Sequence, residues 1–428
     1  MNTAIVGICF SSSIFAHLME FHTFQLSNGI RVIHKQTDRE VSHCGLIINS
    51  GSRDELEHQQ GLAHFIEHSI FKGTQKRKTF HILSRLDSVG AEINAYTTKE
   101  ETWVYASYLE KHLDRAVELI ADICFNSTFP EKEIEKEKDV IIDEINSYMD
   151  APGEMIFDDF EEQLYAGHPI GRNILGTVDS VRSLGREDIF EMQGRRYRTN
   201  QMVFSSVGPS PVSKVKRICE KYLNTFTSPE GKEDRAPFEH YKPLNVELNK
   251  DTYQVHYLLG NVAYHNGHKN KTGLILLNNI LGGPAMNSRL NLHIREKHGM
   301  AYNIESNYSS YSDTGIFQVY LGTDDKFFAK AEKLVHAELK KLRDKELGTS
   351  QLHMAKQQLI GQVALNQDSG SGTMLALGKS YLLYDKVDSI EEVYSSIENL
   401  TSSQLLEIAN EVFDPAALSR LVYRKTGA

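Results

Sequence analysis

Three side chains in one short segment have the types and the spacing to do metal chemistry. In Gly61-Leu62-Ala63-His64-Phe65-Ile66-Glu67-His68-Ser69-Ile70-Phe71, the apolar residues Leu62, Phe65, Ile66 and Ile70 recur at intervals that fit a helix with one face in a core. On such a helix His64, Glu67 and His68 stand at i, i+3 and i+4 and project from one side. Two imidazoles one turn apart can bind a zinc ion, and the carboxylate between them can take a proton from a water on that ion. The same pattern also arises as two surface histidines beside a solvated glutamate, so a third ligand has to come from elsewhere.

The stretch from Glu131 to Asp150 offers two candidates for that ligand. Glu137 and Glu144 are seven residues apart, which puts both on one helix face near Ile141. Glu144 lies within Val140-Ile141-Ile142-Asp143-Glu144-Ile145, where a buried, unpaired carboxylate would be costly and a metal partner would remove the cost. Glu137 closes a run in which Glu131, Glu133 and Glu135 alternate with lysines, the pattern of a solvated helix. Spacing and composition do not choose between the two. A site of two histidines and one glutamate lowers the pKa of its water to about 7. Glu67 would then accept the proton as the water attacks a peptide carbonyl and pass it to the leaving amine. The oxyanion so formed needs a second electrophile.

The elements that must position these residues form a repeat. Gly90 to Tyr96 leads into a strand-like Glu101 to Tyr108 and then a helical stripe at Leu113, Ala116, Val117, Ile120 and Cys124. Gly299 to Ile304 leads likewise into Gly315 to Leu321 and a stripe at Phe328, Ala331, Val335, Leu339 and Leu342. The economical reading is an α+β chain of two repeated domains, each an antiparallel sheet with helices packed on one face. The expected division is an extension over 1–20, a zinc-binding domain over 21–228, a Pro- and Gly-rich charged linker over 229–243 and a second domain over 244–428.

Composition narrows the function. A formal charge of −10, without a Lys/Arg block, argues against nucleic acid as a partner. Cys9, Cys44, Cys124 and Cys219 are scattered singly, which fits a reducing, cytoplasmic setting. The apolar run Met1 to Leu18 lacks Lys and Arg and is shorter than a membrane span, so no membrane partner is expected. Translation is expected to begin at Met19, a weak signal peptide being the alternative.

With these residues in view, the chain resembles the pitrilysin and insulinase family of inverzincins. The likeness is to the short branch that includes mitochondrial processing peptidase and its bacterial relatives. It rests on His64 to Thr74, on Asn94-Ala95-Tyr96-Thr97, on the separation of Glu137 and Glu144 from His68, and on His168 to Arg172 with Ile174 to Thr177. The resemblance implies Glu144 as the third zinc ligand and Glu137 as the carboxylate that supports the site. Arg289 to Tyr302 is similar to the stretch carrying the family's arginine and tyrosine pair, which implies Arg295 and Tyr302 as donors near the scissile carbonyl. The strand Ala91 to Tyr96 would take a peptide substrate as an added strand through Asn94 and Ala95.

The family's active unit has four such domains and this chain has two. A homodimer is therefore implied, with Arg295 and Tyr302 acting in trans on the zinc site of the other subunit. The family's glycine-rich loop is reduced here to Gly282-Gly283-Pro284, which puts a presequence-receptor role in doubt. The function implied is a zinc metalloendopeptidase acting on unfolded peptides. The alternative is a noncatalytic scaffold or peptide-binding subunit, a role in which relatives tend to lose zinc residues that this chain keeps.

Overall fold

The computed structural model describes residues 21–228, 231 and 234–425. The expected start at Met19 and residues 229, 230, 232 and 233 of the expected linker lie outside the described residues.

Two sheets organise the chain. The first holds β1 (Phe21–Gln25), β2 (Arg31–Gln36), β3 (Val41–Ile48), β4 (Glu92–Thr97), β5 (Thr102–Leu109) and β6 (Met202–Gly208), in the order β1-β2-β6-β3-β5-β4. The second holds β7 (Asn245–Lys250), β8 (Val255–Ala263), β9 (Asn303–Ser310), β10 (Gly315–Thr323) and β11 (Ser419–Lys425), in the order β7-β11-β8-β10-β9. Each sheet is antiparallel but for one pair, β2 with β6 and β7 with β11. The two expected helical stripes lie on the helices Leu113–Phe125 and Asp325–Asp344, with every stripe residue buried. The chain is thus α+β and built on one plan twice.

Both faces of each sheet are covered. Along the first sheet, Leu46, Ile48, Val104, Ala106 and Phe204 join the core that contains the motif helix Leu62–Ser69 and the helix Leu113–Phe125. Their alternates Ile47, Trp103, Val203 and Val207 face the other way, against Met374, Leu377 and Leu382 of the helix Gly370–Tyr384. That helix comes from the second half of the chain. Gly378 sits so close to the Trp103 indole that a Cβ would stand 2.4 Å from it. The first half reciprocates, since Ile156, Phe160 and Leu164 of the helix Pro152–Leu164 pack on Leu258, Ile316, Leu421 and Tyr423 of the second sheet. Two-sided burial accounts for the unbroken apolar run Leu46-Ile47-Ile48.

A buried charge network joins the turns of the two sheets. Arg53, with 2% of its side chain exposed, pairs with Glu100 at 2.7 Å and with Asp313 at 2.5 Å. Glu100 belongs to the β4–β5 turn and Asp313 to the β9–β10 turn. Arg235 closes the network on Asp54 at 2.7 Å. Among the described residues, no helix is long and apolar enough to cross a membrane.

Removing Arg53 would leave Asp313 without its cation and Glu100 with Arg235 alone, at 3.8 Å. Arg53→Ala is expected to cost about 3–5 kcal/mol of stability, read as a lower urea midpoint at unchanged slope.

Candidate functional site

The motif helix is fixed at its start by backbone conformation and by a carboxylate. Gly61 has φ +89°, and a Cβ there would stand 2.6 Å from the Leu175 carbonyl oxygen, so the position admits only glycine. The buried Glu55 carboxylate accepts the Gly61 N–H at 3.0 Å and the Ala63 N–H at 2.8 Å, satisfying donors that a helix start leaves open. Burial pushes the Glu55 carboxyl up to about 8, against the pull of these two amides. Leu62, Phe65 and Ile66 anchor the helix in the core, which turns the motif side chains toward the helix Glu131–Met149.

Here His64, His68 and Glu144 come together. Glu144 Oε2 lies 3.8 Å from His64 Nε2 and 3.6 Å from His68 Nε2. One ligand atom from each residue falls within 4.8 Å of the others. Ligand atoms about 2.1 Å from a tetrahedral ion stand roughly 3.4 Å apart, so this set fits zinc in size and in donor type.

Glu137 takes the other side of His68. Its Oε1 accepts from His68 Nδ1 at 3.0 Å, and its Oε2 pairs with Lys72 Nζ at 2.6 Å. With Nδ1 so engaged, His68 Nε2 carries the free lone pair that a metal needs. His64 Nδ1 is buried and finds no hydrogen-bond partner among the described residues.

The electrostatics separate the roles. Burial, with a smaller contribution from His68, lowers the His64 pKa to about 4, which keeps it neutral and able to ligate. For His68, burial works against the imidazolium, but the bond and charge of Glu137 outweigh it and the pKa is raised. The Glu137 carboxyl is held low, because bonds from His68 and Lys72 overcome its burial. Glu67 moves the other way. Burial raises its pKa, partly offset by a hydrogen bond with Thr97, toward the range useful for a general base.

The structure reverses the expected burial of the two glutamates. Glu144 is 45% exposed at the side chain and Glu137 only 6%. The helical period turns Ile141, Ile142 and Ile145 into the core and leaves Glu144 at its rim, while Glu137 faces the motif helix.

Arg295 and Tyr302 are not brought to this cluster within the chain. Arg295, 56% exposed, lies on the π-helical turn Asn291–Glu296 with its Nε 3.9 Å from Glu296. Tyr302, 74% exposed, stands just before β9. Neither bonds to His64, Glu67, His68 or Glu144 among the described residues.

Asn94 and Ala95 lie on β4, an outer strand of the first sheet. The Thr98 N–H donates to Glu101 O at 2.8 Å, so alternation along the ladder makes Asn94/Tyr105 a hydrogen-bonded pair and Ala95/Val104 a non-bonded one. Ala95 therefore turns its N–H and C=O to the free edge, and Asn94 turns its own toward β5.

Glu55 and Lys72 are site residues that the sequence reading passed over. Lys72 had a signal, one further turn on from His68. Glu55 had none, because its cap is made across an irregular loop.

Residues 31–178 match the insulinase family, peptidase family M16, and residues 183–359 match the peptidase M16 inactive domain. The chain belongs to the M16 family. Among its M16 relatives, a Bacillus subtilis protein is 31% identical over 392 residues, covering 91% of this chain and 95% of the relative. A Rickettsia bellii protein is 31% identical over 406 residues, covering 94% and 97%. Both carry the name uncharacterized zinc protease. The M16 fold is shared with a protease from Helicobacter pylori, at TM-score 0.88 and 22% identity over 95% of this chain and 100% of that one. It is also shared with a peptidase M16 inactive domain from Pseudomonas fluorescens, at TM-score 0.89 and 18% identity over 96% and 99%.

Glu137→Ala is expected to weaken zinc binding by about 10- to 100-fold with the far-UV circular dichroism unchanged. Competition against a chromophoric chelator measures it.

Proposed function

We propose that this chain is a zinc metalloendopeptidase that hydrolyses peptide bonds of unfolded peptides and short polypeptides. The observation that carries the reading is the convergence of His64, His68 and Glu144 on one point, with the half-buried Glu67 on the same helix face. The names of the Bacillus and Rickettsia relatives support it. His64, His68 and Glu144 would hold the zinc, which when bound acidifies a water and polarises the substrate carbonyl.

The chain's own groups do the rest. Glu67 takes the proton of the attacking water and returns it to the leaving amine, and its raised pKa suits both transfers. Glu137 holds His68 in one tautomer and orientation, and Lys72 keeps Glu137 ionised. A peptide laid along β4 would pair its main chain with Ala95, while Asn94 would offer its side-chain amide. Such binding reads backbone more than sequence, which suits extended, unfolded substrates.

Arg295 and Tyr302 would donate to the oxyanion from the other subunit of a homodimer. Their exposure and lack of a bond to the metal cluster of their own chain support action in trans. Cys44, Cys124 and Cys219 are buried free thiols, the condition expected in a reducing compartment such as the cytoplasm.

Glu67→Gln is expected to lower kcat by about 10²–10⁴-fold while zinc is still bound at full stoichiometry. Incubation with a mixed peptide library, read by mass spectrometry, should give cleavage that a chelator abolishes and zinc restores; chelator-insensitive cleavage, or none, would overturn the reading. The trans arrangement is tested by mixing two inactive chains, His68→Ala and Arg295→Ala. Heterodimers should regain activity, since each contains one intact composite site, and no recovery would refute it.

A further inference from the structure

We infer that a cavity in the second half of the chain binds a carboxylate through Arg289, and that its ligand is the C-terminal residue of a peptide with an aliphatic side chain. The identification of a peptide rests on the peptidase reading. Recognition of the carboxylate does not.

The cavity has a volume of about 320 Å³ and lies between the end of the helix Lys271–Gly282, the segment Asn287–Arg289 and the helix Thr349–Gln367. Its one formal charge is the Arg289 guanidinium, and no Asp or Glu is among its described lining residues. Arg289 makes no hydrogen bond or ion pair among the described residues, and burial holds its pKa below the usual arginine range. Glu338 is the carboxylate whose charge reaches it, but it makes no ion pair with Arg289: its Oε1 is paired with Lys341 at 2.6 Å and stands 2.7 Å from His293, and its Oε2 is buried without a hydrogen-bond partner. A half-buried guanidinium without a partner is costly, and an anion in the cavity would remove that cost.

A second, independent observation points the same way. Asn279 lines the cavity, is 5% exposed, and its Nδ2 is a buried donor without a hydrogen-bond partner. Two further amides present donor ends by elimination. Gln351 Oε1 accepts the Gly348 N–H at 3.3 Å, and Asn287 Oδ1 accepts from Gln358 Nε2 at 2.9 Å, so each retains its NH₂ group for another acceptor.

One cation among neutral amides matches a single negative charge. A planar carboxylate meets the guanidinium fork in bidentate fashion, whereas a phosphate dianion would be left half-compensated. Ile280, Leu347 and Met354 supply an apolar wall beside these donors. A carboxylate next to an aliphatic side chain, as at a peptide C-terminus, satisfies both surfaces at once. The segment carrying Arg289 runs directly into the π-helical turn that bears Arg295.

The test uses the full chain carrying His68→Ala, so that binding is read without cleavage. Isothermal titration with N-acetyl-leucine, its amide and inorganic phosphate is compared across three added substitutions. The carboxylate should bind, and the amide should bind about tenfold or more weakly. Arg289→Gln should lose about tenfold or more, and Arg289→Lys should lose less. Gln351→Glu preserves the capping bond to Gly348 and so the fold, yet sets a negative charge at the cavity, and should lose about tenfold as well. Equal binding of acid and amide, indifference to Arg289→Gln and Gln351→Glu, or phosphate binding as tight as N-acetyl-leucine would each overturn the inference. Arg289-dependent carboxylate binding in a chain whose parent shows no chelator-sensitive cleavage would leave the site standing and remove the peptidase reading.

Discussion

The contact between the motif helix and the helix Glu131–Met149 governs the site, because it concentrates like charge that water cannot fully screen. Glu67 and Glu137 are half-buried and buried around one short helix, and Glu144 stands at its open side. Against them the described residues set Lys72, which is committed to Glu137, and His68, whose imidazolium the same carboxylates favour. His64 adds no charge, since burial keeps it neutral. Like-charged groups this close in a partly dry pocket favour a counter-charge, and under the proposed function a divalent cation between His64, His68 and Glu144 would supply it. The same packing that creates the electrostatic burden also creates the place for the ion that relieves it.

That packing depends on a framework in which neither half of the chain is complete without the other. The helix Gly370–Tyr384 closes the outer face of the first sheet, and the helix Pro152–Leu164 closes that of the second. Prising the halves apart would bare Trp103, Ile47, Leu258 and Tyr423 to water and take Asp313 away from Arg53. The edge strand β4, whose turn carries Glu100, is thereby held rigidly with respect to the β9–β10 turn.

How much of this could be read from residues alone depended on whether the signal was local. His64, Glu67 and His68 were legible because one helical turn relates them, and the stripes at Leu113–Cys124 and Phe328–Leu342 because a helix repeats over its own length. The exchange of helices was not, since burial of Met374 against Trp103 joins residues far apart in sequence. The parallel pairings of β2 with β6 and of β7 with β11 were hidden for the same reason. Glu137 misled because its lysine neighbours suggested solvent, whereas one of its turns faces His68 and Lys72. Glu144 misled in the opposite sense, because isoleucines adjacent in sequence point away from it on the helix.

Three arginines illustrate how the chain distinguishes structural cations from those kept for ligands. Arg53 is sunk among Glu100, Asp313 and the Ala236 carbonyl, each bond shorter than 3 Å, and has nothing left to offer. Arg289 is half-buried in a cavity that also holds the unsatisfied Asn279 amide donor, a state that favours capture of an anion at that fixed place. Arg295 is solvated, with Glu296 no nearer than 3.9 Å, and so can leave its surroundings at little cost. If Arg295 acts in trans, as proposed, a donor that must reach a developing negative charge on another subunit has to be kept in this last condition. Strong partners in its own chain would have to be broken at the moment of reaction, and that cost would subtract directly from the stabilisation it provides.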